Sequence, residues 1–324
     1  MRFLKSVLMF LCLVLPLMMV CQDANADPGK KKAKTIDELA TRYDVSSCKE
    51  CHEEIYEEWE KSLHSRSIFG TGRTAATIKT TITKGLMTWP YSGVKKGKHV
   101  LRSGVQLPFD LKTIKVEHFM MCAKCHLPQL IEATDDVMRE IVETAFTKPG
   151  NRAEWNEIRK KLSKLSINCL VCHQRNAIVH KWVDGFPEKN VLYGKEDMEH
   201  ESEEYPTIKK NPIMSESIVC AQCHGTGPNF EFENPSMCAA LYGSYLFNYV
   251  FNGGHETCQD CHMTKFNKGH VMPAYRDLDM GKAAIELKVD AFSYHWRKTH
   301  HEAIPLAVVK VEMTNKTGHS IPDG

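Results

Sequence analysis

Five copies of the pattern Cys-x-x-Cys-His run through the 324-residue chain. They are Cys48, Cys51 and His52; Cys122, Cys125 and His126; Cys169, Cys172 and His173; Cys220, Cys223 and His224; and Cys258, Cys261 and His262. At the chain's cysteine and histidine frequencies, chance would supply about 0.03 copies. Two thiols at this spacing can add to the two vinyl groups of one haem, and the adjacent histidine then binds the iron from one face. Each copy therefore predicts one covalently held haem c, with His52, His126, His173, His224 and His262 as proximal ligands. Structural zinc would need the motifs to converge in pairs, which five copies do not allow without a remainder. Disulfides within the motifs would leave five regularly placed histidines unexplained.

Five proximal histidines leave five sixth positions to fill. Eleven histidines lie outside the motifs: His64, His99, His118, His180, His200, His255, His270, His295, His300, His301 and His319. Fully bis-histidine ligation is thus affordable in ligand number and would suit electron transfer. The distal candidates are His64, His118, His255, His270, His295, His301 and His319. His64 ends a helical stretch that leads away from the first motif, which suits ligation of a later haem. His118 and His255 stand just ahead of the second and fifth motifs, and His270 follows the fifth. His99, His180 and His200 read instead as surface or propionate-pairing residues. Met120, Met121, Met263 and Met272 flank motifs and read as gap-fillers around porphyrin rather than ligands.

The remaining composition narrows the setting. Arg2 and Lys5 precede an apolar run from Val7 to Val20, and Ala24-Asn25-Ala26 offers a cleavage site, so residues 1–26 read as a signal peptide. Cys12 and Cys21 leave with it, and Cys238 remains as a small buried residue outside any motif. An exported chain is expected, in the periplasm or at the outer cell surface, with membrane association peripheral at most. The formal charge of +2 shows no basic stripe and excludes the electrostatic case for nucleic acid. Ten haem propionates would bring the mature holoprotein to about −9 reduced and about −4 oxidised, which favours redox partners with basic docking faces.

Cys48 to His52 followed by Ile55-Tyr56-Glu57-Glu58-Trp59-Glu60-Lys61-Ser62-Leu63-His64 resembles the opening of the multihaem c-type cytochromes. That group includes the tetrahaem cytochromes of ammonia oxidisers and the octahaem tetrathionate and hydroxylamine enzymes. Thr257 to Met263 is similar to a late haem motif there, and Thr317-Gly318-His319-Ser320-Ile321-Pro322 resembles their Thr-Gly-His-x-x-Pro element. The resemblance implies that His64 is a distal ligand and that His319 binds iron. It also implies further chain after such an element, and the expectation is that the natural reading frame extends beyond Gly324.

The elements that must position these residues are mainly helical. The fold expected is mainly α with much irregular loop, packed around covalently bound haems, with a short β segment near the C-terminus. Glu53 to Ser62 places Ile55, Trp59 and Leu63 on one stripe. Thr134 to Phe146 is amphipathic, and Asn151 can cap a second helix striped by Trp155, Ile158, Leu162 and Leu165. Dense motifs leave little room for an ordinary apolar core. Residues 27 to about 35 read as a flexible lead-in. The segment from Phe69 to Phe119 reads as a surface-wrapping loop or a partner contact, and Asp184 to Asn211 as a solvated loop. Ala307 to Met313 alternates as a strand without an evident partner. The organisation expected is residues 1–26 signal peptide, 27–290 pentahaem domain and 291–324 a histidine-rich segment.

Five haems c point to an electron carrier working between redox proteins, such as other multihaem cytochromes or a membrane quinol-oxidising complex. The alternatives are an oxidoreductase acting on a small nitrogen or sulfur compound at one open iron, and a subunit of a surface conduit or filament. No motif departs from Cys-x-x-Cys-His in a way that marks a catalytic haem.

Overall fold

The first helix begins where Thr35 supplies a capping oxygen: its hydroxyl accepts from the Glu38 backbone N–H at 3.1 Å, opening α1, Ile36–Thr41. The computed structural model describes residues 31–68, 86–87, 99–100, 112, 114–178, 186–225, 240–274 and 276–321. The leader at 1–26, His180 and Cys238 lie outside these, as does most of the segment from Phe69 to Phe119. The lead-in is anchored earlier than its composition suggests. Ala33 is fully buried and forms a parallel bridge with Ala133, donating to the Glu132 carbonyl at 2.8 Å.

The first motif forms α2, Ser46–Cys51, and α3, Glu53–Lys61, follows after a break at His52. Acidic Glu53 and Glu54 at the start of α3 and Lys61 at its end match the helix dipole. Leu86–Met87 and His99–Val100, β1 and β2, pair antiparallel. The second motif lies on α4, Met120–His126. Two amphipathic helices follow as predicted: α5, Asp135–Phe146, and α6, Arg152–Ser163, whose cap Asn151 accepts from Glu154 N–H at 3.0 Å.

These helices build an apolar core that the motif density did not suggest. Ile36 and Leu39 of α1, Val137, Met138 and Val142 of α5, and Leu162 of α6 are all fully buried in one cluster. The reason is that α1, α5 and α6 carry no haem ligand of their own, so their apolar stripes pack against one another. Trp155, at the wet end of its stripe, stays 41% exposed. Leu162→Ala should therefore cost about 2–5 kcal/mol, the usual range for a buried leucine, read as a lowered denaturation midpoint with all haems retained. An unchanged midpoint would mean that this cluster does not hold the fold.

Asp184 to Asn211 is ordered where described, which corrects the reading as a solvated loop. Val191–Gly194 (β3), Met198–Glu199 (β4) and Thr207–Lys210 (β5) form one sheet, with β5 central, parallel to β3 and antiparallel to β4. Val191 and Tyr193 of β3 are buried against Ala177 and Ile178, and Tyr205 is buried in the main apolar cluster, which anchors an otherwise polar segment. The fourth motif forms α7, Ile218–His224, followed by α8, Leu241–Asn248. The third and fifth motifs each pass into a wider π turn, Val171–Arg175 and Asp260–Thr264. Asp277 caps α9, Leu278–Ala284, accepting from both Asp279 and Met280 N–H groups.

The chain then enters a long hairpin. Ile285–Thr299, β6, pairs antiparallel with Glu302–Asn315, β7, so the strand expected at Ala307 to Met313 does have a partner. At its base one face carries Leu287, Val289, Val311 and Met313, while the other carries the Lys288–Glu312 pair at 4.0 Å. The architecture is helical with much loop and this hairpin near the C-terminus. Among the described residues, no helix is long and apolar enough to cross a membrane.

Candidate functional site

All five motifs open onto one cavity of about 3130 Å³. Ordinary small-molecule pockets reach about 1,000 Å³, so this space suits several large groups rather than one. Ile55, Trp59 and Leu63, the stripe read from α3, all line it. Among the described residues, no motif cysteine is paired in a disulfide. Among the described residues, no three His, Cys, Asp or Glu side chains converge as a metal-ion site.

The motif histidines meet histidines from distant parts of the chain. Ring centroids stand 5.8 Å apart for His52 and His200, 6.2 Å for His64 and His224, 6.5 Å for His173 and His270, and 6.3 Å for His262 and His319. Two imidazoles bound to opposite sides of one metal, each through a bond of about 2 Å, place their centroids about 6 Å apart. Four pairs at nearly one separation, each joining a motif histidine to one outside the motifs, therefore fit axial ligation.

The other ring nitrogen supports the same fit. Nδ1 faces a backbone carbonyl in His126 (Ser67, 3.3 Å), His173 (Tyr193, 3.0 Å), His200 (Tyr205, 2.8 Å), His262 (Pro273, 2.8 Å) and His319 (Ser320, 2.9 Å). A carbonyl only accepts, so Nδ1 carries the proton and Nε2 keeps the lone pair a metal needs. Burial acts in the same direction. It lowers His64 to about 4, with His224 adding to the effect, and it also lowers His173, His224 and His270. These imidazoles are neutral at physiological pH and fit the ligand set of haem c.

Several local devices hold the motifs in place. Asn168 donates to the Tyr43 carbonyl at 2.6 Å and accepts from Val171 N–H, seating the third motif behind the first. Arg175, just past His173, meets Glu132 at 3.4 Å, and Glu132 accepts from the Tyr43 hydroxyl at 2.6 Å. Burial pushes the Tyr43 phenol well up, so it remains a donor. Neighbouring motifs also touch. Cys125 Sγ lies 3.5 Å from the Cys223 carbonyl.

Of the histidines singled out from the sequence, His64, His270 and His319 stand opposite motif histidines. His255 is exposed ahead of the fifth motif, and His295 and His301 are exposed on the hairpin. His118 ends a short turn before α4, and its side chain, like that of Cys122, lies outside the described residues. His200, which the sequence reads as a surface or propionate-pairing residue, faces His52, and no local pattern distinguishes it. It reaches His52 only through the β3–β5–β4 sheet, with its own N–H donating to the Pro206 carbonyl at 2.9 Å. Among the described residues no histidine ring faces His126.

Residues 47–87 match the family described as Cytochrome c554 and c-prime, a span that contains the first motif and α3 through His64. No curated protein and no solved structure matches the chain. Motif chemistry, paired imidazoles and this match together support a multihaem c-type cytochrome, one that binds haem c covalently and transfers electrons.

Proposed function

We propose that the chain is a pentahaem carrier passing single electrons between redox proteins after export to the periplasm or cell surface. The ten motif cysteines hold the porphyrins and the five motif histidines are the proximal ligands. His200, His270, His64 and His319 serve as distal ligands of the first, third, fourth and fifth haems. The observation that carries this reading is the common separation of the four histidine pairs, 5.8 to 6.5 Å. Haem c supplies a one-electron iron couple. The protein's part is to close the sixth positions and to keep the centres near one another, which the touching motifs support. The negative charge of the holoprotein favours partners with basic faces, such as other multihaem cytochromes or a quinol-oxidising complex.

The alternative is an oxidoreductase acting on a small nitrogen or sulfur compound, which needs one iron with an open sixth position. Electron paramagnetic resonance of the oxidised protein separates the two. The carrier predicts at least four low-spin ferric centres. One of them should be strongly anisotropic, because the His64 and His224 planes lie at 77° and nearly perpendicular imidazoles leave the iron dπ orbitals close to degenerate. A spectrum with fewer than four low-spin centres overturns the ligand assignment, and a high-spin centre that binds substrate moves the weight to the enzyme.

A further inference from the structure

The turn that presents His270 is held from the far end of the chain. Helix α3 packs against residues Gly269–Val271, and Glu58 Oε2 accepts from the His270 backbone N–H at 2.8 Å. The same oxygen stands 3.9 Å from His270 Nδ1. Gly269 has φ +49°, and a Cβ there would collide with the Glu58 carboxylate. The turn is therefore shaped around this side chain, which is about one-third exposed, as is His270.

We infer that Glu58 is a positioning residue that sets the reduction potential of the third haem through His270, an inference that rests on His270 being that haem's distal ligand. The contrast with the other sites carries it. His126, His173, His200, His262 and His319 all present Nδ1 to neutral backbone carbonyls. Among the described site histidines, only His270 has a carboxylate on that side. At this range a carboxylate acts by its field, which polarises the distal imidazole toward stronger donation and places negative charge near the iron. Each effect stabilises the ferric state, so the third haem is the one held low relative to its neighbours. The separation of 3.9 Å exceeds a direct hydrogen bond, so the charge acts through space while the backbone contact fixes the geometry.

The test is a spectroelectrochemical titration of the holoprotein and of Glu58→Gln, Glu58→Ala and His270→Ala. Gln keeps an oxygen that can accept from the His270 N–H and removes the charge. One of five midpoints should rise, by about a tenfold change in the ferric-to-ferrous ratio, or about 59 mV for a one-electron couple. No centre should change its spin state. Five unmoved midpoints in Glu58→Gln overturn the inference and leave Glu58 a structural anchor, even where Glu58→Ala loosens the turn. His270→Ala should convert one centre to high-spin. Should it leave every centre low-spin, the ligand reading fails separately from the role of Glu58.

Discussion

Replacing Cys169 and Cys172 by alanine is expected to lower the covalent haem count by one and to abolish cooperative folding. The third motif sits at the junction of the molecule. Leu170 and Val171, inside it, are 1% and 0% exposed, and Asn168 ties it to Tyr43 while Arg175 ties it to Glu132. Removing the thioether anchors at this point empties apolar space in the middle of the protein, where lost contacts cannot relax. The fifth motif provides the control, because none of the residues of its Asp260–Thr264 turn is buried. Replacing Cys258 and Cys261 should also remove one haem yet leave a protease-resistant domain. Intact mass of the denatured protein gives the haem number, and limited proteolysis reports the fold. Equal proteolytic sensitivity of the two variants would show that the third site has no special structural weight.

His200→Ala should open the first haem completely. Its imidazole is supplied by a sheet whose ladder does not depend on the side chain, since β4 and β5 pair through Met198 with Ile208 and Glu199 with Thr207. The sheet should therefore survive while the position opposite His52 empties. One low-spin centre in the oxidised protein becomes high-spin, and the reduced protein gains the ability to bind carbon monoxide at that iron. His301→Ala, on the exposed tip of the hairpin, should leave the spectrum unchanged. Five unaltered centres in His200→Ala would show that His200 and His52 do not share an iron.

Chemistry carried by adjacent residues was readable from the chain itself. A Cys-x-x-Cys-His run needs no tertiary information, because thioether attachment and proximal ligation occur within five residues. The helices Asp135–Phe146 and Arg152–Ser163 were equally readable, since an apolar stripe at helical spacing and an Asn cap act locally. The polar stretch from Asp184 to Asn211 hides its three-stranded sheet, because its few buried residues, Val191, Tyr193 and Tyr205, are spread among charged ones. The hairpin was half seen: Ala307 to Met313 alternates clearly, whereas its partner is recognisable only through register with Ile285–Thr299.

The amino-acid order by itself displays five Cys-x-x-Cys-His motifs, because the chemistry they can carry is a property of neighbours in the chain. Only the tertiary structure decided which imidazole faces which motif histidine. The His64 ring lies 6.2 Å from that of His224, 160 positions further along the chain. His200 and Glu58 come to matter only because a sheet and a helix carry them to the first motif and to His270. Axial ligation asks for an angle and a distance of about 6 Å between rings. Neither has any trace in residue spacing once the partners lie on different elements.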